Sequence, residues 1–214
     1  MPPEVTTHAL LRIAGANSVL WKDPPPAWAL AALARAPWVV VRRARGAGLI
    51  PVGVRGALRA QRLAAWLHPG QVLESVTPIG LAQRREWLKS ERRAVVPALA
   101  ALDAVDALLR AQRFGWGPCG SVGFELASGT PTAGPASDLD VTIPAATPLP
   151  PGVAVALLAG LAQLPVRVDA QLEVPRGAVA LAEYAAARGP LVLRTADGAR
   201  LVRDPWGAVV PAAA

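Results

Sequence analysis

Gly120-Ser121-Val122-Gly123-Phe124-Glu125 and, after a stretch rich in glycine and proline, Ser137-Asp138-Leu139-Asp140-Val141-Thr142-Ile143 carry the most structural information in the chain. The second reads as a strand. Residues i and i+2 of a strand point to one face, so the carboxylates of Asp138 and Asp140 are neighbours while Leu139, Val141 and Ile143 bury on the other. Two like charges that close repel each other and add nothing to the sheet. A divalent cation reverses that balance, so paired acids on a core strand invite a metal. In the first segment, Gly120 lets the backbone approach a phosphate closely. The Ser121 hydroxyl and the amides after it can donate to phosphate oxygens if a helix begins near Val122. Glu125 lies close by in sequence without a predicted place.

Further along, residues 166–174 alternate strictly, with Val166, Val168, Ala170, Leu172 and Val174 on one face and Arg167, Asp169, Gln171 and Glu173 on the other. If this strand pairs with the Asp138 strand, Asp169 reaches the same metals. Three carboxylates, two adjacent and one on a later strand, suit two-metal phosphoryl transfer. All-oxygen ligation favours Mg²⁺ or Mn²⁺ over zinc. The plainer alternative, a turn-capping acid beside a surface acid, fits poorly with the apolar residues that flank the pair.

The rest of the chain supplies mixed elements. Strands are predicted at 38–43 and 49–54 with a turn at 45–48, and Pro51 pushes the second toward a sheet edge. Residues 57–67 read as a helix ended by His68-Pro69-Gly70. Residues 81–113 read as a long helical connector in which Pro97 divides two parts or opens the second. Helices are expected at 153–164 and 178–188, and a hairpin at 191–203 around Asp197-Gly198. The expectation is an α+β protein: a basic unit over residues 1–88, then a catalytic unit over 89–214.

Charge divides the same way. Of 22 Lys and Arg, 16 precede residue 116, against 7 of the 15 acids, so the front carries +9 and the remainder −2. A basic front half suggests an anionic partner. Arg55, Arg59 and Arg62 would share a face if the predicted helix starts early; an ordinary solvated face is the alternative. The single cysteine, Cys119, excludes an internal disulfide and a cysteine-based zinc site, and suggests a reducing, cytoplasmic setting. The start shows no targeting pattern. The uncharged stretch 141–166 is broken by prolines, so a soluble protein with no membrane association is expected. His8 and His68 are isolated in sequence, and Trp87, Trp116 and Trp206 read as core or interface aromatics. Residues 115–120 match a G-x-G-x-x-G spacing, but a helix rather than a strand precedes them and Pro118 interrupts them, which argues against a dinucleotide fold.

Gly120-Ser121, Asp138-x-Asp140 and Asp169 together resemble the nucleotidyltransferase superfamily of the polymerase-beta type. The runs WGPCGSVGFELASG, SDLDVTI, VDAQLEVPRGAVAL and IPVGVRGALRAQR are similar to those of the phosphoribosyl-dephospho-CoA transferases of malonate decarboxylase, also called malonate decarboxylase holo-acyl-carrier-protein synthases. The resemblance runs from His8-Ala9-Leu10-Leu11 to Asp204-Pro205-Trp206; Cys119 departs from it where a small polar residue such as threonine is expected. It implies a polymerase-beta-type nucleotidyltransferase fold, a mixed sheet with helices, preceded by a smaller α+β domain. It implies 2'-(5-triphosphoribosyl)-3'-dephospho-CoA as donor and a serine of the apo acyl-carrier subunit as acceptor, with pyrophosphate leaving and no nucleic acid involved. By the same resemblance, Asp138 and Asp140 hold both metals, and Asp169 holds the metal at the acceptor oxygen and takes its proton. Gly120 and Ser121 bind the β- and γ-phosphates. Arg55, Arg59 and Arg62, with Arg42 and Arg43, grip the donor or dock an acidic carrier. Two alternatives stay open: a nucleotidyltransferase using ATP or another nucleotide on a different acceptor, and a catalytically silent relative that binds nucleic acid or a carrier protein.

Overall fold

A computed structural model describes residues 5–207. Two sheets organise these residues, and helices cover them in an α+β arrangement. The first sheet contains β1 (Leu10–Arg12), β2 (Val19–Leu20), β3 (Trp38–Val41), β4 (Ile50–Arg55), β5 (Arg62–Leu67) and β6 (Glu74–Val76), in the order β2-β5-β4-β3-β1-β6. Every pairing in it is antiparallel. Helix α1 (Ala27–Arg35) buries Ala29, Ala32 and Leu33 in the same core as Val39, Val52, Ala65 and Leu67.

The chain then passes through α2 (Pro78–Arg84), α3 (Pro97–Ala100) and α4 (Leu102–Ala111). Thr77 caps α2 by accepting from the Gly80 amide at 3.0 Å, with Pro78 in the first turn where its missing N–H costs nothing. The second sheet comprises β7 (Gly117–Pro118), β8 (Leu139–Pro144), β9 (Val168–Val174), β10 (Gly177–Ala180), β11 (Leu191–Thr195) and β12 (Gly198–Val202), in the order β12-β11-β10-β9-β8-β7. Helix α5 (Gly120–Ser128) links β7 to β8, α6 (Pro151–Leu161) links β8 to β9, and α7 (Leu181–Ala186) follows β10. Within this sheet β8 and β9 run parallel, and α6 is the crossover that parallel neighbours require.

The second core gathers Trp87, Leu99, Leu102, Val105, Leu109, Trp116, Leu139, Ile143, Leu157 and Leu172. Burying a side chain of this size stabilises by roughly 1.5–3 kcal/mol. Trp87 and Trp116 lie 6.1 Å apart, and the indole nitrogen of Trp116 donates to the buried Asp106 at 3.0 Å. That carboxylate also accepts from Arg110 at 2.9 Å, so its charge is paired. A smaller apolar cluster of Leu10, Ala36, Trp38, Val76, Leu81 and Phe124 joins the two sheets. Among the described residues, no helix is long and apolar enough to cross a membrane.

Four sequence expectations are corrected. Residues 57–67 do not form a helix: a turn, in which Gly56 N donates to Gln61 O at 3.0 Å, leads into β5. Leu63, Ala65 and Leu67 alternate inward there, and sheet pairing overrides the helical propensity of an alanine- and leucine-rich stretch. Residues 81–113 are not a long helix but short helices and 3₁₀ turns, broken where Arg85 adopts φ 51° and where Pro97 opens α3. Pro51 lies in an interior strand rather than at an edge; its carbonyl accepts from Arg42 N at 2.8 Å where the β3 ladder ends, so its missing N–H leaves no partner wanting. The segment 178–188 begins as β10, and only Leu181–Ala186 is helical.

Candidate active site

A cavity of about 640 Å³ opens between the two sheets, and Arg55, Arg59 and Arg62 on one side face Asp138 and Asp140 on the other. The arginines converge through a hairpin rather than a helical face. Arg55 closes β4, Arg62 opens β5, and the two are direct cross-strand partners with Arg59 in the turn between them. Like charges opposed in this way are unfavourable unless an anion meets them. Burial first, then Arg62, lowers the Arg55 pKa to about 10, against the pull of Asp140. The buried Arg55 Nε has no hydrogen-bond partner among the described residues. Burial and Arg59 lower Arg62 in the same direction. Three crowded guanidiniums, one with a donor left unmet, offer charge and hydrogen bonds that an anion can satisfy.

Asp138 immediately precedes β8 and Asp140 lies on it. Arg59 Nη2 stands 3.7 Å from Asp138, at the exposed rim. Asp140 is more enclosed: burial raises its pKa, and the charges of Asp138 and Asp169 raise it further, while Arg59 and Arg55 oppose the rise. Against Asp140, α5 begins at Gly120 with φ 58°. No side chain caps α5. The amides of its first turn therefore lie beside Ser121, which also lines the cavity. The Cys119 amide donates to Asp140 O at 2.8 Å and ties this turn to β8. Burial pushes the Cys119 thiol well above its ordinary pKa, which removes it as a nucleophile.

Asp169 is the direct register partner of Asp140 across the parallel pair. Its side chain does not line the cavity; it accepts from Arg167 at 2.9 Å. Among the described residues, no three His, Cys, Asp or Glu side chains gather as a metal-holding group. The cavity itself offers two carboxylates. Oxygen donors of this kind suit Mg²⁺, which binds through one or two carboxylates and fills its remaining positions with water and substrate phosphate.

Glu125 is buried away from the cavity and braces it from behind. It accepts from Arg92 Nε at 2.7 Å and from the amides of Thr132 and Ala133 at 2.7 and 2.9 Å. This holds the loop whose Gly134 and Ser137 edge the cavity. Arg42 and Arg43 lie elsewhere: Arg43 is spent on Glu173, at 2.6 and 2.7 Å to its two oxygens. His8, Thr142 and Gln171 also line the cavity. Sequence reasoning passed over all three. The signal for two of them was parity, since Thr142 shares a strand face with Asp138 and Asp140, and Gln171 with Asp169 and Glu173. His8 carried no such signal.

A cavity that sets carboxylates against guanidiniums beside a helix start suits an enzyme that handles a phosphate-bearing substrate. Comparison with known sequences makes the class specific. Residues 82–205 match the family described as phosphoribosyl-dephospho-CoA transferase MdcG C-terminal domain, and residues 6–78 match the corresponding N-terminal domain. A protein of Azotobacter vinelandii named phosphoribosyl-dephospho-CoA transferase is 44% identical over 186 residues, covering 85% of each chain. One of Pseudomonas putida with the same name is 43% identical over 198 residues, covering 89% of this chain and 94% of its own. The chain belongs to the phosphoribosyl-dephospho-CoA transferase family. No solved structure matches it.

Proposed function

We propose that this enzyme transfers the 2'-(5-triphosphoribosyl)-3'-dephospho-CoA group to a serine of the apo acyl-carrier subunit of malonate decarboxylase. A phosphodiester forms and pyrophosphate leaves. The observation that carries this reading is the opposition, across one cavity, of the Arg55–Arg62 pair to Asp138 and Asp140. A triphosphate chain satisfies the guanidiniums, and a divalent cation satisfies the carboxylates. Relatives named phosphoribosyl-dephospho-CoA transferase support a dephospho-CoA derivative as the donor.

In this account residues 1–88 form a basic unit that grips the donor and residues 89–214 the catalytic unit. The β8–α6–β9 crossover, with its acids on the first strand and α5 starting beside them, supports a polymerase-beta-type fold for the latter. Asp138 and Asp140 would hold Mg²⁺ or Mn²⁺; Asp169, one strand away and engaged with Arg167, would join them as a further ligand and take the serine proton only on turning from Arg167 into the cavity. The metal, when bound, neutralises phosphate charge and lowers the barrier to attack by the acceptor oxygen. Arg55, Arg59 and Arg62 orient the triphosphate, and Gly120, Ser121 and the first amides of α5 donate to its β- and γ-oxygens. Chemistry of this kind needs positioning and charge stabilisation rather than an enzyme nucleophile, which agrees with the buried, protonated Cys119.

A nucleotidyltransferase using ATP on another acceptor would employ the same carboxylates; the family relationship favours the dephospho-CoA donor. A silent binding relative would have no need of Asp138, Asp140 and Asp169 together. The test is release of pyrophosphate on mixing enzyme, donor, Mg²⁺ and apo carrier. Release that requires the carrier and fails with ATP in place of the donor supports the reading; equal release with ATP would overturn it.

A further inference from the structure

The cavity is longer than its catalytic end requires, and its inner end has a different chemistry. Along β9, Asp169 and Glu173 are four residues apart, about 13 Å at ~3.3 Å per residue. Asp169 marks the level of Asp140, and Glu173 the level of Pro144. Between these levels two pairs of side chains line the cavity from opposite sheets. Leu10 and Val40 are register partners on β1 and β3; Thr142 and Gln171 are register partners on β8 and β9. One wall is therefore apolar and the other carries hydroxyl and amide groups. Thr142 is only 5% exposed, yet its hydroxyl has no hydrogen-bond partner among the described residues. A buried hydroxyl without a partner in a cavity wall is costly unless a ligand supplies one.

His8 closes this end in the left-handed region, at φ 69°, its amide donating to Val41 O at 3.0 Å. Its Nε2 lies 3.7 Å from Glu173, whose carboxylate is already paired with Arg43 at 2.6 Å. Burial lowers the His8 pKa, with Glu173 opposing and Arg43 adding to the shift. The inner end thus presents a neutral imidazole, backed outside the cavity by an ion pair already formed, a poor place for a phosphate and a good one for an uncharged, flat group with hydrogen-bonding edges.

We infer that this inner slot binds the adenine base of the donor, with Leu10 and Val40 against its face and Thr142 and Gln171 at its edge. The inference rests on the donor assigned above. In that donor two linked ribose rings separate the reacting phosphorus from the adenine, which suits a slot that begins at Thr142 and Gln171, about 7 Å along the strands from Asp140 and Asp169, and runs on toward His8. The linear pantetheine arm has no flat face to match the slot and leaves through the open side of the cavity.

The test uses the full-length enzyme with Thr142→Val, which keeps the side-chain shape, and Gln171→Ala. Titration with 3'-dephospho-CoA and with adenosine should show binding to the wild type, weakened roughly tenfold by each substitution, as expected for one lost hydrogen bond. The same changes should raise KM for the donor far more than they lower kcat, and leave inhibition by inorganic triphosphate, which reads the arginine end and reports a folded protein, unaltered. Binding of 4'-phosphopantetheine that falls in Thr142→Val, with no binding of adenosine, would overturn the inference. So would transfer by both variants at an unchanged donor KM. Failure of the wild type to transfer the donor at all would instead count against the donor assignment, and the dephospho-CoA titration reads the slot independently of it.

Discussion

Gly120 and Asp140 approach so closely that a Cβ on Gly120 would stand 1.9 Å from Asp140 Oδ2. Gly120 also has φ 58°, which side-chain-bearing residues rarely adopt. The start of α5 and the acid of β8 are thus packed as one unit, and their separation is fixed by the absence of a single methyl group. Gly120→Ala should push Asp140 and the first amides of α5 apart. A misplacement of this size lowers kcat by about 100-fold. Steady-state kinetics and a melting curve would separate that effect from the lower stability also expected.

Asp140 carries a stability cost that its function requires. Its pKa in the folded chain lies above 3.8, so the folded form binds more protons than the unfolded form between 3.8 and the raised value. Stability falls as pH rises through that window, and above it the deficit is complete. Asp140→Asn should therefore raise the melting temperature at pH 7, with the gain vanishing below pH 3.8. The same substitution should abolish transfer and remove any stabilisation by Mg²⁺. A melting temperature that drops at pH 7 would contradict this.

Arg55 shows the same tension with opposite charge. Burial and Arg62 hold its pKa down to about 10, and its Nε has no partner among the described residues. Arg55→Gln should raise the melting temperature of the ligand-free protein by a few degrees, the common outcome of relieving a strained functional group. It should also raise donor KM by roughly 10- to 100-fold, and Arg55→Lys should not restore it, because an ammonium cannot replace the guanidinium fork. Inorganic triphosphate should stabilise the wild type more than either variant.

Glu125 is 7% exposed and ties Arg92 to the loop at Thr132 and Ala133. Glu125→Leu should cost roughly 2–4 kcal/mol in urea unfolding, since it strands Arg92 and two amides. Because the loop edges the cavity and runs directly into Asp138, donor KM should rise and kcat should fall together.

The sequence disclosed the catalytic strand far better than the arginine side. Alternation in 166–174 and the apolar parity of Leu139, Val141 and Ile143 are period-two signals, and both appear as β8 and β9 with Asp140 opposite Asp169. The stretch 57–67 gave no such plain signal: alanine and leucine fill it, and its strand character depends on pairing with β4, a contact far weaker in the local pattern than helix propensity. The arginines it carries do converge, but through cross-strand pairing of Arg55 with Arg62. Likewise, nothing local to His8 announces its place in the cavity; Glu173, which lies 3.7 Å from it, is on the other sheet and far away in sequence.

The central claim is that the Asp138–Asp140 pair and the arginines opposite it move a dephospho-CoA prosthetic group onto a carrier serine. Intact-mass measurement of the carrier, after incubation with enzyme, Mg²⁺ and the triphosphoribosyl donor, tests it most directly. The account requires a mass gain of one prosthetic group, absent with Asp138→Asn and absent when the acceptor serine is replaced by alanine. No gain with the wild-type enzyme, or an equal gain with Asp138→Asn, would contradict it.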